Sequence, residues 1–339
     1  MIYKLLGKSG LKVAELSLGT MTFGTESGYG ADKAECDRQF SLYRDLGGNF
    51  VDTANLYTNG TSETFLGEFM QGHRHELVLA TKYSLKGGGK GPNAAGNSRK
   101  SMMEAIEGSL KRLRTDYIDL FYLHAWDFLT PVDEIMRGLD DLVKQGKVNY
   151  LGISDTPAWI VSRANTMAEL MGWTRFVALQ AEYSLIQRTT ERDLVPMAHE
   201  LGLGITAWAP LAGGALSGKY LKPETAEGRV KPESVRRNDR AQAIAKAVVE
   251  LAETKNCHPV QVALRWLMQK PELTFPVVGA RTTQQLELSL QAAQIILTAE
   301  EVEKLNAISA IELGFPHEFL TQQGVKDVLF NGFFDKIVK

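Results

Sequence analysis

The chain has 339 residues, 44% hydrophobic and 23% charged, an ordinary globular composition that supports a substantial core and leaves little room for disorder. Its 38 Lys and Arg against 40 Asp and Glu give a formal charge of −2, which excludes a global field for nucleic acid or an anionic membrane, so any anionic ligand must be held locally. Cys36 and Cys257 stand far apart without metal-ligand spacing, and neither a signal core nor a membrane-length apolar run is present, so the expected setting is reducing and cytoplasmic, with no metal and no membrane partner.

In chain order, apolar segments at 3–6 and 13–16 surround Gly7-Lys8-Ser9-Gly10 and predict a short hairpin. Strand-like runs then recur at 16–20, 49–54, 77–82, 118–124, 149–154, 177–183, 204–211 and 274–280. Helical periodicity fills the gaps at 32–46, 98–113, 132–145, 241–255 and 259–269. This alternation predicts an α/β fold, a (β/α)8 TIM barrel forming one domain over 1–339, with the hairpin covering its lower end and extra helices at the C-terminus. A doubly wound dinucleotide fold would need a Gly-rich turn between an early strand and a helix. The spelling Gly202-Leu203-Gly204-Ile205-Thr206-Ala207 leads into a strand instead and is set aside. A Gly-rich loop at 83–97 and a charged loop at 219–239 are candidate walls of a site at the strand ends.

Four ionisable residues close three successive runs: Asp52, with Tyr57 just beyond it, Lys82 and His124. A parallel barrel gathers such residues at one mouth however far apart they lie in sequence. A reaction leaving negative charge on a substrate oxygen needs a proton donor there, and Tyr57 is the candidate, with Lys82 expected to lower its pKa by stabilising phenolate. Asp52 would hold Lys82 charged, and His124 would orient the substrate oxygen. Taken singly, Asp52 also reads as a turn cap, Tyr57 as a half-buried aromatic, Lys82 as a solvated amine and His124 as a core imidazole. Their joint placement is what argues for a site.

The motifs Leu18-Gly19-Thr20-Met21-Thr22-Phe23-Gly24, Asp52-Thr53-Ala54 through Tyr57, Ser109-Leu110-Lys111-Arg112-Leu113 and Thr115-Asp116-Tyr117-Ile118-Asp119 together resemble the aldo-keto reductase superfamily over nearly the whole chain. Residues 93–101 and Leu123-His124-Ala125-Trp126-Asp127 look most like its bacterial and fungal branch of aryl-alcohol-dehydrogenase-like reductases. The resemblance implies a barrel that reduces aldehydes or ketones with a nicotinamide cofactor, with Asp52, Tyr57, Lys82 and His124 as the catalytic tetrad and Tyr57 as general acid.

It also implies cofactor contacts at Gly19, Thr20 and Met21, and from Ser154, Asp155 and Gln180 to the nicotinamide carboxamide. Asp155 stands where the family more often has Asn, and an ionised Asp accepts but cannot donate. Trp208 matches an aromatic under the nicotinamide ring, with a core Trp as the alternative. Pro210, Leu211, Gly213, Gly214, Gly218 and Lys219 match the pyrophosphate loop. This loop spells most of a P-loop, but Tyr220 stands where Ser or Thr is required, which rejects a nucleotide triphosphatase. Gly279, Arg281 and Gln285 match the adenosine segment at a helix start suited to an anion, and Arg281 favours NADPH over NADH unless it is a surface ion-pair residue. Leu288 and Ser289 depart from the acidic residue and Asn that relatives often place at the adenine.

Met21, Tyr57, Tyr83, Trp126 and part of the tail are the expected substrate walls, which suggests an apolar or aromatic aldehyde. The tail phenylalanines Phe315, Phe319, Phe330, Phe333 and Phe334 are expected to pack against the barrel. One alternative is a reductase of phosphorylated sugar aldehydes, which would need Lys86, Lys90 or Arg99 in the pocket. Another is a cofactor-binding regulatory subunit like the potassium-channel β subunits. Oligomeric state has no marker in the sequence.

Overall fold

The computed structural model describes residues 1–86, 89–221, 229–271 and 273–338, so residues 222–228 of the charged loop and 87–88 of the Gly-rich loop lie outside the described residues. Strands β1 (Tyr3–Leu5) and β2 (Lys12–Ala14) pair antiparallel as the expected hairpin. Eight parallel strands close into a barrel: β3 (Ser17–Gly19), β4 (Phe50–Asp52), β5 (Val78–Tyr83), β6 (Ile118–Leu123), β7 (Val148–Ser154), β8 (Phe176–Glu182), β9 (Gly204–Trp208) and β10 (Thr274–Val278), with β10 pairing β3. Each of the eight apolar runs becomes one barrel strand, with ends shifted by a few residues. This is a (β/α)8 TIM barrel.

The helices are α1 (Lys33–Asp45), α2 (Thr61–Phe69), α3 (Arg99–Leu113), α4 (Val132–Lys144), α5 (Ala158–Met171), α6 (Leu194–Leu201), α7 (Asp239–Thr254), α8 (Pro259–Met268), α9 (Thr283–Leu290), α10 (Ala299–Ile308), α11 (His317–Thr321) and α12 (Gln323–Leu329). Their starts follow from local chemistry. Asp32, Ser98 and Asn238 accept the backbone N–H groups of Glu35, Ser101 and Ala241, satisfying donors the first turn would otherwise strand. Helix α9 packs on α1, which joins the last βα unit to the first.

Strand alternation sorts the side chains into two cores. Leu79 and Tyr83 of β5, Phe121 and Leu123 of β6 and Leu179 and Ala181 of β8 point outward into the layer beneath the helices. Phe50, Val78, Ala80, Leu120, Tyr122, Ala178 and Phe275 point inward and meet Leu6, Val13 and Ala14 of the hairpin, which plugs the lower end as expected. Gly152 makes room in this interior, because a Cβ there would lie 2.4 Å from the Tyr122 ring.

The C-terminal helices are present, but the tail does not pack as expected. Phe315 is 85% exposed, Phe319 47% and Phe333 52%, and the rings meet each other (Phe315 with Phe319 at 6.1 Å, Phe330 with Phe334 at 4.9 Å). Near-helical spacing of aromatics supplied an apolar stripe without specifying a surface to receive it. Among the described residues, no helix is long and apolar enough to cross a membrane.

Candidate active site

The inward set changes character at the C-terminal ends of the strands. In β4 the inward positions run from Phe50 to Asp52, in β5 from Ala80 to Lys82, and in β6 through Tyr122 to His124 just past its end. Ser154, Gln180 and Trp208 occupy the corresponding places on β7, β8 and β9, where Ser154 pairs with Gln180 and Glu182 with Trp208 in register. Here the barrel opens into a cavity of about 700 Å³.

Lys82 is completely buried at the base of this cavity. Its Nζ donates to Asp52 Oδ1 at 2.6 Å, to the Thr53 carbonyl at 2.7 Å and to the Tyr57 hydroxyl at 3.2 Å, using the three donors of an ammonium. The second carboxylate oxygen of Asp52 accepts from Gln180 Nε2 at 2.8 Å. Gln180 is thereby tied to the charge network through its amide nitrogen, a link that spacing gave no hint of. Tyr57 arrives from a tight turn after β4 in which Thr58 and Asn59 take left-handed φ of 46° and 55°. Its ring meets His124 edge-on, with centroids 6.1 Å apart at 80°.

Burial opposes the Lys82 ammonium, but Asp52 and then the Tyr57 oxygen outweigh it and hold its pKa above the usual lysine value. Burial also pushes the Tyr57 phenol up, and Lys82 offsets this without reversing it. The expectation that Lys82 would bring the phenol below its ordinary value is therefore corrected. The ammonium does act in the expected direction, but desolvation of phenolate is the larger effect, so Tyr57 is a phenol rather than a phenolate at neutral pH. Burial, and then Lys82, push His124 down to about 3, which makes it a neutral imidazole; its buried Nδ1 has no hydrogen-bond partner.

Around this centre the cavity is lined by Gly19, Thr20, Met21, Ser154, Asp155, Gln180, Trp208, Pro210, Leu211, Gly213, Gly214, Lys219, Gly279, Arg281 and Gln285 together with Asp52, Tyr57 and His124. Lys82 lies beneath the lining, and Gly218 does not reach it. The cavity has the features a dinucleotide needs. The Ser154 hydroxyl is buried without a partner. Gly213 and Gly214 turn with φ of 69° and 91°, and a Cβ on Gly213 would meet Val230 at 2.7 Å. Cationic side chains of Lys219, Arg229, Arg236 and Arg281 gather along the lining.

Other assignments change. Tyr83 is fully buried and stacked on Phe121, because it follows inward-facing Lys82 by one residue and so points to the opposite face. Trp126 packs against the outer core and is absent from the lining, where Leu56 and Leu85 supply apolar wall instead. Lys86 and Lys90 are exposed and Arg99 pairs with Asp141 at 2.7 Å, so none of the three enters the cavity. The start of α9 is already occupied, since the Glu35 carboxylate accepts from both the backbone and hydroxyl of Thr283, while Thr282 Oγ1 takes the Gln285 N–H. Arg281, rather than the helix terminus, is what an anion would meet there. Leu288 and Ser289 do line the cavity.

Sequence reasoning missed Tyr29, Arg229 and Arg236. Tyr29 lies between two guanidinium groups, with Arg229 5.3 Å and Arg281 5.1 Å from its ring centre. Only the approach of the segments after β3, β9 and β10 creates this arrangement, so none of the three signals it alone.

A parallel barrel with an Asp–Lys–Tyr network and an imidazole at its C-terminal mouth agrees with what comparison of the whole sequence gives: residues 15–310 match the aldo/keto reductase family model, and the chain belongs to that family. Among curated proteins it is 39% identical to an aryl-alcohol dehydrogenase [NADP(+)] of Phanerodontia chrysosporium, over 91% of this chain and 86% of that one. It is 37% identical to a norsolorinic acid reductase of Aspergillus flavus (93% and 83% covered) and 36% identical to a probable aryl-alcohol dehydrogenase of Saccharomyces cerevisiae (85% and 92% covered).

Proposed function

We propose that this chain reduces the carbonyl of small aldehydes or ketones, preferably aromatic or apolar aldehydes, with NADPH as hydride donor. The observation carrying the reading is the Lys82 ammonium, 2.6 Å from Asp52 and 3.2 Å from the Tyr57 hydroxyl, at the floor of a cavity large enough for a dinucleotide and a small substrate. A bound nicotinamide would supply hydride to the carbonyl carbon. Tyr57 then gives its proton to the carbonyl oxygen as negative charge grows there, and Lys82 stabilises the phenolate left behind. Asp52 keeps Lys82 ionised and aimed. His124, neutral at physiological pH, offers a hydrogen bond that orients the carbonyl without adding a competing positive charge.

Ser154, Gln180, Asp155 and Trp208 would hold the nicotinamide end, the loop from Pro210 to Lys219 the pyrophosphate, and Arg281, Gln285 and Gly279 the adenosine end. Support for NADPH comes from the Arg281 guanidinium and from the name of the Phanerodontia relative. Met21, Leu56 and Leu85 give the apolar wall that favours an uncharged substrate. The test is absorbance-monitored oxidation of NADPH and NADH with benzaldehydes, short aliphatic aldehydes and glyceraldehyde 3-phosphate. Turnover of benzaldehydes with NADPH is expected. Preference for the phosphorylated aldehyde would overturn the substrate class, and tight nucleotide binding without turnover on any carbonyl would replace the enzyme with a cofactor-binding regulatory protein.

A further inference from the structure

Asp155 differs from the other acidic group lining the cavity. Asp52 is neutralised by Lys82, but Asp155 has no ion-pair partner among the described residues. It follows Ser154 at the end of β7 in a left-handed conformation, φ 38°, which turns its side chain along the cavity wall. There Oδ1 accepts the indole N–H of Trp208 at 3.1 Å, and the backbone is pinned by the Trp126 N–H donating to the Asp155 carbonyl at 3.3 Å. A carboxylate fixed by one neutral donor, beside a flat aromatic and lacking a cation, is suited to a positively charged ring.

We infer that Asp155 is a positioning residue that sets the orientation of Trp208 and, through its charge, makes the pocket favour the oxidised, cationic nicotinamide over the reduced, neutral one. The inference rests on the nicotinamide reading above. For hydride to reach a carbonyl placed between Tyr57 and His124, the ring must lie at the Ser154, Gln180 and Trp208 end of the cavity, which is where Asp155 sits. When two electrons and a proton leave the reduced ring as hydride, the ring becomes cationic. A fixed negative charge stabilises that product, so the bound equilibrium is drawn toward carbonyl reduction. An amide at the same place would keep the indole contact without this bias.

The test is calorimetric titration of the full chain and of Asp155→Asn with NADP+ and with NADPH, without substrate. Asn tolerates left-handed backbone and can still accept from the indole, so the fold should be retained. The ratio of the NADP+ to the NADPH dissociation constant is expected to rise about fivefold in Asp155→Asn, the order of one unit-charge contact at about 4 Å screened by water, because Asp155 is exposed at the cavity wall. Trp208→Phe separates the two roles: it removes the donor and leaves the carboxylate, so both constants should weaken together and the ratio should stay near that of the unaltered protein. An unchanged ratio in Asp155→Asn, or an equal change in Trp208→Phe, overturns the inference while leaving the cofactor reading intact. Failure of the unaltered chain to bind either nucleotide overturns both.

Discussion

The two ends of the barrel are made by the same strands and do opposite work. At the lower end β4, β5, β6 and β8 present Phe50, Val78, Leu120 and Ala178 to the hairpin as an apolar layer. Two to four residues further on, the same inward faces carry Asp52, Lys82, His124 and Gln180. The lower end is closed by hydrophobic burial, which tolerates any well-packed apolar set. The mouth holds a buried ion pair whose assembly costs desolvation and is sustained only by multiple hydrogen bonds. Stability and chemistry are therefore separated along a strand by one or two steps of its period-2 alternation.

That separation can be probed from either side. Tyr57→Phe removes the proton-donating oxygen at the mouth and should cut turnover about 10²- to 10⁴-fold. Nucleotide affinity and melting temperature should stay close to those of the parent, and unchanged turnover would remove Tyr57 as the acid. Phe275→Ala at the lower end is the counterpart. It empties part of the fully buried plug and should cost about 3 to 5 kcal/mol in urea unfolding, with turnover per folded molecule retained. Equal loss of activity per folded molecule would show that the two ends are coupled.

Smaller effects are expected within the mouth itself. Arg281→Ala should weaken NADPH by about tenfold, the loss of one charge-assisted phosphate contact, and leave NADH nearly unaffected. Equal weakening of both would assign Arg281 to packing against Tyr29. The smallest effect concerns His124, whose pKa falls from 6.5 to about 3 on folding. Below pH 6.5 the unfolded chain takes up a proton that the folded chain resists, so stability is complete above 6.5 and declines as pH falls toward 3. At pH 5 the loss should be about 1 kcal/mol after allowance for solvent screening. His124→Asn should remove this part of the pH dependence of denaturant unfolding, and an identical slope in the variant would place the titration elsewhere.

Much of this molecule was legible in its amino-acid order. Eight apolar runs became eight barrel strands because a strand buried on both faces must be apolar along its length, a signal that survives in sequence. Asp52, Lys82 and His124 were visible as ionisable residues terminating such runs. The tail was not legible, since aromatics at helical spacing state that a stripe exists and not what it meets. Tyr83 was misplaced because it was read as the first residue of the loop at 83–97, whereas it ends β5 and the alternation of that strand sends it to the other face.

The number of barrel strands and the hairpin before them were legible in the sequence alone, because local patterns of polarity and turn chemistry record them. Tertiary structure decided what each group could do. Whether Tyr57 lies above or below its ordinary pKa depends on the balance between Lys82 at 3.2 Å and burial, and whether the start of α9 is free for an anion depends on Glu35 arriving from α1. Electrostatic energies vary with distance and dielectric, and only the closed barrel sets those for residues tens of positions apart in the chain.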